Sequence, residues 1–212
     1  MSAVRVLDQD PIAPWAEVVP GYGPVTVDIL LTLPDDGYIY EVVDGVLVRM
    51  AGSGERATTI GGVLYVELYT YVRPRRLGIV TPADGVYRFP GAETGLLPDV
   101  GFYLAERRAL IEDRNKPIPF APDLAAEVAS PDQTAPDMAA KARRYLRGGT
   151  RLVWVLWPQG VRVDVWRPAD LRPRYQDMRP AAMLGAGDTL DGEDVISSFS
   201  YPVADLFADP LA

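Results

Sequence analysis

The stretch from Asp123 to Trp157 constrains the fold most. Asp123 to Ala129 is a small-residue β-prone run closed by Ser130-Pro131-Asp132. The spacing predicts a helix from about Ala135 to Leu146, ended by Gly148-Gly149, where glycine suits a left-handed cap. A second β-prone run, Arg151 to Trp157, follows at once. A strand, a helix and another strand in so short a length require a helix laid against a sheet.

The rest of the chain adds hairpins to that step. Asp44-Gly45 between Tyr38–Val43 and Val46–Met50 is a strong turn signal between two β-prone runs. Pro158-Gln159-Gly160 sets Val161 to Arg167 beside Arg151 to Trp157, with Val161, Val163 and Val165 on one face. Ile60, Val63, Leu64, Leu68, Tyr71 and Val72 recur at helical spacing and predict an amphipathic helix over 55–72, ended by Pro74. A short helix is expected over 25–33, strands over 78–81 and 86–89, one continuous strand over 96–104 and a charged helix over 105–113. The surface excursion at 168–180 leads to a strand pair near 183–196 and a short helix at 203–207. The fold class is therefore α/β, a mixed β-sheet flanked by helices. Residues 1–25, rich in proline and glycine, read as an irregular lead-in, and 26–212 as one domain.

Composition narrows the chemistry. The chain has no cysteine and no histidine, which removes disulfides, Cys/His zinc sites, thiol nucleophiles and histidine general bases. Catalysis must use carboxylates, Lys, Arg, Tyr, Ser or Thr, or a metal that accepts oxygen ligands, such as Mg²⁺ or Mn²⁺. A net charge of −8 opposes general adhesion to a polyanion, so binding DNA requires a local basic patch. No apolar run has the roughly 20 residues of a bilayer-spanning helix, and the first residues lack the apolar stretch of a secretory signal, so no membrane partner and a cytoplasmic location are expected.

Three residues stand out. Strand alternation puts Glu127 on one face with Ala125 and Ala129, opposite Leu124, Ala126 and Val128. That face is solvated, or Glu127 pairs with an arginine, or it binds a cation. Asp99 follows Pro98 among apolar residues, a dipeptide also common in turns. Lys141, one of only two lysines, borders the apolar stripe Met138, Ala142, Tyr145 and Leu146 on the later helix. From there it either snorkels to solvent or reaches back over the sheet.

An aspartate, then a glutamate on the next core strand, then a lysine on the helix leaving that strand resembles the PD-(D/E)XK nuclease superfamily. Within it, the chain is similar to a widespread bacterial family of restriction-endonuclease-like proteins of the unknown-function type. The resemblance covers about residues 38–207 and rests on Tyr40-Glu41-Val42-Val43-Asp44-Gly45, Leu97-Pro98-Asp99 and Pro122-Asp123-Leu124. It continues through Glu127-Val128-Ala129-Ser130-Pro131, Asp137 to Lys141, Tyr145, Leu152 to Val155 and Phe199-Ser200.

The resemblance implies that Asp99 and Glu127 are metal ligands, that Lys141 is the catalytic lysine and that Glu41 is an additional acidic member. The sequence departs from the pattern twice. Ala129 occupies the lysine's usual strand position, and Gly54-Glu55-Arg56 stands where members often carry a histidine, so that role is lost or passes to Arg56.

The implied function is Mg²⁺- or Mn²⁺-dependent endonucleolytic hydrolysis of DNA; Arg56, Arg143 and Arg144 are read as substrate contacts, the latter two from a basic cluster with Arg147 and Arg151 that is also readable as a solvated helix end. The alternatives are a catalytically silent binding or assembly module of the same fold, and a metal-dependent phosphoesterase for a smaller substrate. Arg73, Arg75 and Arg76 form a second basic cluster, readable either as substrate contacts or as a solvated helix end. A homodimer built on Trp154, Trp157 and Trp166 stands beside burial of these rings in the monomer.

Overall fold

A computed structural model describes residues 12–209 and 211. Its strands in chain order are β1 (Glu17–Val18), β2 (Tyr38–Val43), β3 (Val46–Ala51), β4 (Gly78–Pro82), β5 (Tyr87–Arg88), β6 (Gly95–Leu96), β7 (Val100–Leu104), β8 (Leu124–Val128), β9 (Leu152–Trp157), β10 (Arg162–Trp166), β11 (Ala182–Leu184), β12 (Thr189–Asp191) and β13 (Ser200–Pro202). The helices are α1 (Glu55–Arg75), α2 (Ala135–Arg147) and α3 (Val203–Leu206). The short helices expected at 25–33 and 105–113 are short 3-10 segments, Val27–Leu31 and Ala105–Leu110.

Local chemistry accounts for the best-formed elements. Asp44 and Gly45 take φ of 51° and 80°, the positive pair that a two-residue hairpin turn needs, and β2 and β3 pair from Val43↔Val46 to Tyr38↔Ala51. α2 starts with a reciprocal cap: Thr134 accepts from the Asp137 N–H, and the Asp137 carboxylate accepts from the Thr134 N–H. Its end is marked by Gly149, at φ 102°, one residue beyond the cap Gly148. α1 runs through Pro74 and stops at Arg76 in the left-handed region. A proline in the last turn forfeits only one N–H bond, so the helix ends two residues later than Pro74 alone suggests.

The strands form a five-stranded sheet, β1-β3-β2-β6-β5, a six-stranded sheet, β11-β10-β9-β8-β7-β4, and the small hairpin β12-β13. In the larger sheet β8 and β9 are parallel, joined through α2, and the other pairs are antiparallel. The expected mixed sheet flanked by helices is the fold observed.

Both faces of β8 are covered, as buried parallel strands require. Leu124, Ala126 and Val128 pack into the core shared with α1 residues Ile60, Leu64 and Leu68. Ala125 and Ala129 face the core that holds Met138, Ala142 and Tyr145 of α2. Val43 and Val48 of the smaller sheet join that second core.

Three expectations change. The strand predicted over 96–104 divides at Pro98-Asp99, with β6 in the smaller sheet and β7 in the larger. Proline lacks the N–H that a continuous ladder demands. The strands near 183–196 do not pair together: β11 extends the large sheet beside β10, and β12 pairs with β13. The lead-in is not wholly irregular, because β1 pairs with β3 and Ala13, Trp15 and Val19 are buried. Residues 1–11 lie outside the described residues.

Candidate active site

The two sheets meet where the chain crosses at Pro98-Asp99. Glu41 comes to this junction from β2, Glu127 from β8 and Lys141 from the middle of α2. The Lys141 Nζ donates to Glu127 Oε2 at 2.9 Å and lies 3.3 Å from Glu41 Oε1. Tyr145, one turn further along α2, donates its hydroxyl to Glu127 Oε1 at 2.6 Å. Glu41 also accepts from the Trp15 indole N–H at 3.0 Å and the Leu97 N–H at 3.1 Å. Asp99 Oδ2 accepts from the Val128 N–H at 2.7 Å, which ties the crossover to the residue after Glu127.

Glu41, Glu127 and Lys141 are buried, at 0%, 5% and 3% exposure. Lys141 is therefore not a snorkelling boundary residue. Three carboxyls face one ammonium in a water-poor setting. Burial pushes the Glu127 carboxyl up to about 8, against the opposing pull of the Lys141 charge and the Tyr145 hydrogen bond. Burial also raises Asp99, in spite of the Val128 N–H and Lys141. For Lys141, burial acts to release the proton, but the charges of Glu127 and Glu41 outweigh it and hold the amine above its ordinary value. Burial and the same two carboxylates raise the Tyr145 phenol well above its usual range. The cluster thus holds an ammonium and, near neutral pH, a proton on a carboxyl.

Carboxylate oxygens are the donors that Mg²⁺ and Mn²⁺ prefer. Among the described residues no group of three or more Asp or Glu side chains is arranged to hold a metal ion. An ion held by only one or two carboxylates would keep most of its water, as Mg²⁺ commonly does. A cleft of about 600 Å³ touches the cluster through Trp15, while Glu41, Asp99, Glu127 and Lys141 do not line it. Its walls include Trp15, Tyr38 and Arg49, Gly54 at the start of α1, and Ser130 to Gln133, the loop that follows β8.

The arginines expected to bind substrate are otherwise engaged. Arg143 is buried at 7% exposure and donates to the carbonyls of Arg172 and Pro173, so it tethers the 168–180 excursion to α2 and is set aside as a substrate contact. Arg144 pairs with Asp44 and donates to the Ile12 carbonyl at 3.0 Å, locking the first hairpin onto α2. Arg56 donates to the Pro158 carbonyl at 2.7 Å from the exposed first turn of α1.

Trp154 and Trp166 are buried in the chain's own cores and the half-buried Trp157 donates to Asp164, which removes the tryptophans as a ready dimer face. Sequence reasoning missed Trp15 and took Tyr145 as packing. The four-residue spacing of Lys141 and Tyr145 places both on one helical face, a signal that was available for the tyrosine. No local signal marks Trp15.

The fold, a mixed sheet flanked by helices with an Asp, Glu and Lys junction between its sheets, is of the α/β class. A solved structure shares that fold: the "putative nuclease belonging to DUF820" from Anabaena variabilis ATCC 29413, 21% identical, matches 87% of this chain and 98% of its own with a TM-score of 0.69. Residues 27–204 match the model of the Uma2 family, described as "Putative restriction endonuclease", and the chain belongs to that family. No curated protein matches it. No helix among the described residues is long and apolar enough to cross a membrane.

Proposed function

We propose that this protein is a divalent-metal-dependent endonuclease that hydrolyses DNA phosphodiester bonds, with Asp99 and Glu127 as the ligands of Mg²⁺ or Mn²⁺. The observation that carries this reading is the convergence of Glu127, Lys141 and Glu41 at 2.9 and 3.3 Å from three separate elements, beside Asp99. The ion, when bound, supplies charge neutralisation on the phosphate and orients the attacking water.

The protein's own groups do the rest. Val128 N–H holds one Asp99 oxygen, leaving the other for the ion or its water. Tyr145 holds one oxygen of Glu127, and Lys141 is an electrostatic stabiliser and water-positioning group, since the surrounding carboxylates keep its amine protonated. Glu41 positions Lys141, and Arg56, two residues after Gly54 of the cleft wall, is a substrate contact.

The test is cleavage of plasmid DNA with Mg²⁺ or Mn²⁺ by the parent protein and by Glu127→Ala. Metal-dependent cleavage abolished by the substitution supports the reading, and cleavage insensitive to it rejects the reading.

One observation favours a second reading, a catalytically silent module of the same fold. Both oxygens of Glu127 and both of Glu41 already accept hydrogen bonds or pair with Lys141, so the cluster is satisfied as a buried ion network. Calorimetry separates the two: Mg²⁺ binding lost in Asp99→Ala supports the metal site, and no binding by the parent supports the silent module.

A further inference from the structure

At the end of α1 away from the acidic junction, a pocket of about 380 Å³ opens between α1, β4 and the 105–110 turn. Val72 and Ile79 contribute an apolar floor, and Tyr69, Arg73, Arg76 and Arg108 line the same pocket. Ile79 is 44% exposed. Arg73 lies over the Tyr69 ring at 5.4 Å, and Tyr65 stacks on Tyr69 at 5.7 Å, so a column of flat groups runs along α1 to the pocket rim. Arg108 donates to the Ile111 carbonyl at 3.2 Å.

Among the described residues none of these three arginines forms an ion pair with a carboxylate, whereas Arg49, Arg107, Arg151, Arg162 and Arg167 each do. With 29 acidic residues against 21 basic ones, carboxylates are not scarce in this chain. Three like charges around one pocket repel each other, and the carbonyl end of α1 offsets only about half a unit of charge. Arg108 belongs to a different element and gains least from that dipole. Guanidinium groups suit phosphate oxygens by shape and charge, and aromatic faces suit bases.

We propose that this pocket is a phosphate-binding site that takes the backbone of a nucleic-acid chain, with Arg73, Arg76 and Arg108 contacting phosphates and Tyr69 offering a stacking face. The choice of occupant rests on the nuclease reading; the site rests on its own geometry. A rise of about 1.5 Å per residue puts roughly 18 Å between Gly61, which adjoins Asp99, and Arg73. That is about half a turn of duplex along the axis of α1. The patch also supplies the local basic surface that an acidic nuclease needs.

The test is fluorescence anisotropy of a labelled DNA oligonucleotide with EDTA present, so that binding is read without cleavage. The parent is expected to bind with strong salt dependence, and Arg76→Glu with Arg108→Glu to bind at least tenfold more weakly with a shallower salt slope. Arg73→Gln with Arg76→Gln, which removes charge without reversing it, should lower the slope by about one unit per arginine. Arg179→Glu, away from this pocket, should bind as the parent does.

Failure of the parent to bind, or undiminished binding by both arginine pairs, overturns the proposal. Displacement of the oligonucleotide by AMP at equal affinity overturns the chain as the occupant in favour of a free nucleotide. If binding and its loss are as expected but Mg²⁺ elicits no cleavage, the nuclease reading fails while this site stands.

Discussion

Lys141 and Glu127, fourteen residues apart in sequence, meet at 2.9 Å with side chains no more than 7% exposed. A buried pair of this kind is held in place by what surrounds it. Removing one partner leaves the other charge without compensation, which typically costs about 3–5 kcal/mol. Lys141→Met should destabilise the fold by that order, measured by urea unfolding. Adding Glu127→Gln should recover part of the loss. A cost below about 1 kcal/mol for Lys141→Met contradicts the buried ion network.

Tyr145→Phe removes the hydroxyl that donates to Glu127 at 2.6 Å and keeps the ring in the core. Removing the donor leaves a buried acceptor unpaired, which costs about 1–3 kcal/mol. The expected outcome is a loss of that size in unfolding free energy, together with weaker Mg²⁺ binding by calorimetry, because the carboxylate is freed to rotate. Unchanged metal affinity restricts Tyr145 to a packing role.

The Glu127 carboxyl gives a pH signature. Its folded value of about 8 lies above the ordinary 4.5, so in that window the native protein holds a proton that the unfolded chain has released. Its contribution to stability is therefore complete below about 4.5 and is lost as pH rises to about 8. The melting temperature without metal should fall between pH 6 and pH 8.5, and Glu127→Gln should flatten that fall. Mg²⁺ competes with the same proton, so its apparent affinity should rise over the same interval. A metal-free melting temperature that rises across the interval contradicts the assignment.

Trp15→Phe removes the indole donor to Glu41, and deletion of residues 1–20 also removes β1 and the buried Val19. The substitution should cost about 1–3 kcal/mol in urea unfolding. The deletion should cost more and expose the acidic junction, seen as faster amide exchange at Glu41 and Leu97. A deleted chain as stable as the parent would place Trp15 outside the working structure.

Gly61 packs α1 over the junction, and a Cβ there would meet Asp99 Cβ and Val128 Cγ2 at 3.9 Å, ordinary contact distance. Gly61→Ala should stabilise the helix by about 0.5–1 kcal/mol. Gly61→Leu should instead crowd Asp99 and weaken Mg²⁺ binding. Equal metal affinity in the two variants argues against Asp99 as a ligand.

What was legible in the sequence was local or periodic. Asp44-Gly45 fixed the turn type because only residues tolerant of positive φ fit there, and alternation along β8 separated Glu127 from Leu124, Ala126 and Val128 before any coordinates were known. Helical spacing found α1 and α2 for the same reason, since 3.6- and 2-residue periods follow from backbone geometry alone. The ordered Asp99, Glu127 and Lys141 were visible as types and positions.

Tertiary structure decided the rest. Whether 96–104 is one strand or two depends on a second sheet competing for its hydrogen bonds. Whether Arg143 meets substrate or the carbonyls of Arg172 and Pro173 depends on where a distant loop folds back. The partners of Glu41 are the sharpest case: Trp15, Leu97 and Lys141 lie 26, 56 and 100 residues away along the chain. Local propensity cannot encode contacts at that separation; they form only when two sheets and a helix close on one another and exclude the water that would otherwise solvate the charges.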